Sequence, residues 1–395
     1  MAKGSARARV AALVRRLAPG GSAAEQVEAA HALAGLCCGK GPNREYVRSC
    51  GGVMALVGLL APGSPDAVRE RAAVALAQAC IDNEQNQDGI RECGGVAALV
   101  GLLAPGGPHA VQWQGAGTLS NLCRGNGQNL CRDSVRECGG VGALVGLLAP
   151  GSPATVRERA AKALGGLCIN NVENEDHIRE CGGIAALVGL LAPGGPGAMQ
   201  LEAVGALINL CIMNSQNCDC VRECGGVGAL VGLLAPGSPA AVCQRAAQAL
   251  GGLCINNEDN NEDNEDHIRE CGGVAALVGL LAPGGPVAVQ RKAATALGNL
   301  CRENRQNKDS VRACGGVAVL VALLAPARSA ATHRHAAFAL INLTSGCEQS
   351  QDAVRECGGV AALEGVLARA SSAPAHERAA AALRDLGRIE QVVGK

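Results

Sequence analysis

The chain has 395 residues, with 35 basic and 35 acidic side chains and one each of Trp, Tyr and Phe. A net charge of zero argues against the strong uniform field that gathers nucleic acid or anionic lipid, and the scarcity of aromatics removes the stacking platforms that RNA readers use. Its longest apolar runs, about ten residues and broken by Gly and Pro, fall short of the roughly 20 residues a membrane span requires.

The chain opens with MAKGSARARVAALVRRLAPGG, which carries Lys3, Arg7, Arg9, Arg15 and Arg16 and no acid before Glu25. An organelle transit peptide shares that composition. However, ARVAALVRRLAPGG aligns with GGVAALVGLLAPGG further on, so repeat structure is the preferred reading. A CGG follows at Cys50, Cys93, Cys138, Cys181, Cys224, Cys271, Cys314 and Cys357, at intervals of 43, 45, 43, 43, 47, 43 and 43 residues. A period in the forties marks a helical solenoid. The two longer intervals contain RGNGQNLCRDS and NNEDNNEDNED, expected as exposed loops.

One unit illustrates the rest. From Asp266, DHIREC predicts a short helix, with Gly272 and Gly273 ending it by allowing positive φ. Next, VAALVGLL places Val274, Leu277, Val278 and Leu281 on one apolar face of a medium helix. Pro283 stops that helix, and Pro286 is expected in the first turn of a long one, where its missing N–H costs nothing. Ser64, Ser152 and Ser238, just before the equivalent prolines, are expected as N-caps. The long helix PVAVQRKAATALGNLC is expected to bury Val289, Ala293, Ala296, Leu297 and Leu300.

No such unit buries its faces alone, but stacked neighbours do. The expected organisation is all-α: one array of about nine units. Residues 1–40 form an N-terminal cap lacking the short helix, 41–350 seven internal repeats, and 351–395 a C-terminal cap. Arg15, Arg16, Glu364, Arg384 and Asp385 replace apolar or neutral residues at the two ends, as solubilising caps do.

The 21 cysteines follow the same period. One series is the CGG set; another ends each long helix, at Cys37, Cys80, Cys123, Cys168, Cys211, Cys254 and Cys301. Both are expected as small buried apolar residues in a reducing compartment. Cys211, Cys218, Cys220 and Cys224 lie close enough in sequence to suggest a soft-metal site, although two of them are repeat cysteines. Asp259, Asn261, Asp263 and Glu270 fall at calcium-loop positions, without the glycine such a loop needs; a solvated insertion is preferred. His177 and His267 are repeat copies. No phosphate loop, zincin helix or nucleophile elbow is present, so neither an enzyme nor a cofactor is expected.

The pattern VRECGGVAALVGLLAPGGPVAVQRKAATALGNLC resembles the armadillo repeat. This likeness implies a right-handed α-solenoid superhelix whose long helices line a concave groove for an extended peptide or protein partner. It also implies that an Asn near the end of the long helix hydrogen-bonds the partner's main chain. Such residues here are Asn121, Asn209, Asn299 and Asn342, on stripes that also hold Trp113, Arg291, Thr295, Arg334 and Phe338. An Asn amide both donates and accepts, but an Asn near a helix end can equally bond its own helix. Trp113 can anchor a partner or simply cover an apolar neighbour. The family's nuclear-import adaptors place a Trp one turn before the Asn; here Gly117, Gly205, Thr295 and Phe338 stand at such sites.

The expectation is therefore a monomeric, non-catalytic, cytoplasmic or nuclear scaffold that binds protein, with no nucleic acid, small-molecule substrate or metal. A divergent import adaptor reading basic peptides is the alternative.

Overall fold

The computed structural model describes residues 2–38, 41–124, 130–255, 261–369 and 372–387. Among them every regular element is a helix, 26 in all, with no strand. Two compact units, Met1–Leu190 and Leu191–Lys395, are each a helical solenoid of repeats.

In the repeat that begins at 261, the short helix is Asn261–Glu270, the medium helix Gly273–Gly279 and the long helix Val287–Leu300. The short helix starts earlier than DHIREC predicts; Glu262 and Asp263 in its first turn suit the positive end of the helix dipole. Part of each supposed loop insertion is thus helical, since Leu130–Glu137 takes up LCRDS in the same way. Residues 125–129 and 256–260, and Asp259 with them, lie outside the described residues. Asp263 and Glu270 share one continuous helix, which cannot wrap an ion as a calcium loop does.

The two glycines after the short helix have different tasks. Gly272 has φ +77°, the left-handed region that favours glycine. Gly273 does not: it opens the medium helix. A Cβ there would sit 2.6 Å from Ile268 Cγ2 and 2.8 Å from the Ile268 carbonyl oxygen. The expectation of positive φ at both is corrected, because the second glycine is required by close packing. Val274, Leu277, Val278 and Leu281 are buried, as are Val289, Ala293, Ala296, Leu297 and Leu300. Truncating a Leu among them to Ala would cost about 2–5 kcal/mol.

The capping chemistry also differs from expectation. Pro65, Pro153, Pro239 and Pro286 are themselves the N-caps, with φ between −55° and −60° and extended ψ. Ser64, Ser152 and Ser238 stand one residue too early to cap. Where proline is absent, Ser does cap: Ser22 forms a reciprocal capping box with Glu25, and Ser329 accepts from the Thr332 N–H.

Each long helix leaves carbonyls unsatisfied at its C-terminus, and the next short helix answers them. Asn83, Asn171, Asn214 and Asn304 cap the short helices by accepting from the backbone N–H three residues on, which belongs to a second Asn. That second Asn is buried and turns its amide back. Asn86 donates to the Ala79 oxygen at 2.8 Å, Asn217 to Leu210 at 2.8 Å and Asn307 to Leu300 at 2.9 Å. An N-x-x-N motif thereby joins successive repeats.

The two cysteine series separate. Those ending the long helices are buried. The CGG series is exposed or half-exposed, because those residues at or just beyond the end of the short helix point outward. Cys211 and Cys218 are interior, with the Cys218 thiol 3.5 Å from the Cys211 carbonyl oxygen. Cys220 and Cys224 form a separate surface pair, 4.0 Å between sulfurs. The four thiols do not converge, and the described residues contain no cluster of three or more metal-ligating side chains.

The long helices pack side by side. In the first unit the order is Ala23–Cys37, Asp66–Cys80, His109–Leu122 and Ala154–Leu167. In the second it is Gly197–Cys211, Ala240–Leu253, Val287–Leu300, Ala330–Thr344 and Ala373–Asp385.

Candidate partner interface on the long helices

Small residues let these helices approach closely and leave their polar positions on one face. In the first unit, Trp113 is half-buried and lines a shallow depression with Glu70, His109, Gln114, Thr155 and Val156. The guanidinium of Arg159, from the next long helix, lies 4.4 Å from the Trp ring centre. Such a cation–π contact holds the ring and the charge in fixed positions.

The second unit has a similar arrangement. Thr295, Arg334 and Phe338 line a depression together with His335, Pro374, Glu377 and Arg378. Arg378 stacks on Phe338 from the following helix, 5.0 Å from the ring centre. The Thr295 hydroxyl donates to the Arg291 carbonyl oxygen at 3.0 Å, which leaves it to accept from His335 Nδ1 at 2.8 Å. His335 Nε2 then accepts from Arg334 at 3.2 Å. This assignment uses the neutral imidazole. Burial, followed by the charges of Arg334, Arg291 and Lys292, holds the His335 pKa down to about 4.

The asparagines divide. Asn299 is only 5% exposed, and its amide donates to the Gly251 carbonyl oxygen of the preceding long helix at 2.8 Å. Asn121 makes a similar bond to Ala77, at 3.3 Å. Asn342 donates to Phe338 in its own helix at 3.3 Å, and Asn209 is half-buried. The Asn299 amide is therefore not turned to a partner as the resemblance implies: the close neighbouring long helix covers it. Arg291 and Thr295, two turns and one turn earlier, remain half-exposed.

Sequence reasoning passed over Arg159, His335 and Arg378. A signal was available, because their repeat position also holds Arg71, Arg245 and Lys292.

Charge is distributed unevenly over the elements. On the short helices, Arg179, Arg222, Arg269, Arg312 and Arg355 each pair with an Asp three residues earlier. On the long helices of the first unit, five basic residues face five acidic ones. The long helices of the second unit carry six basic residues against three acidic.

The profile of the armadillo/beta-catenin-like repeat matches residues 261–302. Among solved structures, the crystal structure of an engineered protein is 31% identical, with a TM-score of 0.84, over 96% of this chain and 88% of that one. A second engineered protein is 29% identical, with a TM-score of 0.58, over 63% of this chain and 96% of its own. A third is 27% identical, with a TM-score of 0.57, over 62% and 98%. No curated protein matches the sequence. A short, a medium and a long helix recurring every forty-odd residues, the double glycine between the first two and the agreement with these comparisons lead to one conclusion: the chain belongs to the armadillo repeat family.

Proposed function

We propose that the protein is a non-catalytic scaffold that takes a protein partner on the exposed face of its long helices. The observation that carries this reading is the aromatic–arginine pair in each unit, Trp113 with Arg159 and Phe338 with Arg378, set among polar side chains in a shallow depression. Rigid aromatics and arginines are favoured anchors at protein interfaces. An extended partner would cross successive long helices of a unit and meet its aromatic–arginine pair there. Two asparagines support this face: buried Asn299 and half-buried Asn121 hold the helices in register, while Trp113, Arg291, Thr295, Arg334 and Phe338 present the contacts. Cytoplasmic or nuclear residence accords with the many buried thiols, which suit a reducing compartment.

Photo-crosslinking in cells tests the face. A crosslinking residue in place of Gln114 or Gln244, on the long helices, should give protein adducts at least about tenfold above one in place of Ala185 or Ala361, on the medium helices. Equal yields from the two faces would refute the assignment.

A further inference from the structure

We infer that the long-helix face of the second unit binds an acidic extended segment whose carboxylates recur at about every third residue. This rests on the long-helix face being the binding surface, and it specifies what that surface reads. Arg245, Arg291, Arg334 and Arg378 place a guanidinium on each of four successive long helices. Lys292 adds an ammonium beside Arg291. Among the described residues none of these five is ion-paired. On the unit's short helices, by contrast, Arg222, Arg269, Arg312 and Arg355 each have an aspartate one turn back. The recurring short-helix arginine is thus neutralised in each of these repeats, while the long-helix cations are left unmatched. Thr295 supports the same surface by accepting from His335 Nδ1, which fixes the ring beside the cluster.

The spacing follows from packing. Neighbouring helix axes lie about 8–10 Å apart, and an extended chain advances about 3.3 Å per residue. One step along the array therefore equals about three residues of a partner. An acid at every third position would meet a cation on each helix, whereas a basic segment would meet like charges, which cost affinity.

Fluorescence anisotropy on the full chain tests this with three labelled peptides of about fifteen residues, enough to cross four helices. The first has Glu at every third position, the second the same composition with its Glu in one block, and the third Lys in place of Glu. The first should bind at least about tenfold more tightly than the other two and weaken as salt rises. Arg334→Glu with Arg378→Glu should reduce its affinity at least about tenfold, while Arg71→Glu in the first unit leaves it unchanged. Circular dichroism on each variant checks that it is folded; should the double variant unfold, Arg245→Gln, expected to weaken binding severalfold, takes its place. Equal or tighter binding of the Lys peptide, indifference to the spacing of Glu, or full affinity in the folded charge variants would overturn the inference. Crosslinking from Gln244 separates the two readings. Adducts there with any of those peptide results would leave the scaffold standing with a different partner chemistry; no adducts there would remove the face itself.

Discussion

Gly273→Ala is expected to destabilise its repeat by about 2–4 kcal/mol, and Gly272→Ala by about 1–2 kcal/mol. The order is the informative part. Gly272 is the residue with positive φ, +77°, so a general rule about glycine would place the larger cost there. Alanine can occupy the left-handed region at a modest penalty. At Gly273 the obstacle is contact. A Cβ would meet the Ile268 carbonyl oxygen at 2.8 Å, Ile268 Cγ2 at 2.6 Å and Val231 Cγ2 at 3.2 Å. The carbonyl belongs to the short helix of the same repeat and Val231 to the medium helix of the preceding one. Relief therefore requires moving backbone, and that movement propagates into the neighbouring repeat. Hydrogen exchange at the amides of Gly273–Gly279, together with urea denaturation, measures both variants. A larger loss in Gly272→Ala would show that φ strain at the first glycine outweighs the packing constraint at the second.

The fold was legible because each repeat states its rules several times over. The period, the apolar spacing and the double glycine all follow from helix geometry that one chain displays without its neighbours. What eluded sequence reasoning depends on those neighbours. Whether Asn299 faces a partner or the interior is decided by how near the helix carrying Gly251 comes, because the amide reaches that carbonyl. The proline N-caps depend on a shift of one residue at a helix start, the least certain feature of a sequence reading. The N-x-x-N motif was in plain view, but its task spans two elements. It caps one helix and satisfies the end of another, so neither segment alone reveals it. The aromatic–arginine pairs are likewise contacts across repeats: Phe338 was visible as an aromatic on a stripe, while its partner Arg378 comes from the following helix.

Such cross-repeat contacts also predict how stability responds to pH. Glu265→Gln should raise the urea midpoint at pH 8 and leave it unchanged near pH 4.5. Glu265 is 5% exposed, and Asn304 of the next repeat donates to its Oε2 at 3.0 Å. Burial, above all, pushes its pKa up to about 7; the neighbouring charges of Asp266 and Glu262 push the same way, and the Asn304 bond and Arg302 oppose them. The folded carboxyl thus binds a proton more tightly than the unfolded one. Its favourable contribution is complete below the ordinary carboxylate range and is lost as pH rises through about 7. Ionising it at pH 8 costs about 1–2 kcal/mol once residual screening by solvent is allowed for. Glutamine removes that cost while keeping an acceptor for Asn304. The chain already uses this solution at the same repeat position: Gln87 is fully buried and donates to the Cys80 oxygen at 3.1 Å and the Arg124 oxygen at 2.9 Å. Comparing the two proteins at each pH cancels the titration of every other carboxylate, so the difference belongs to position 265. A gap that persists at pH 4.5, or a lower midpoint for the variant at pH 8, would mean that Glu265 is held in its charged form by a favourable contact, and the sign of the argument would reverse.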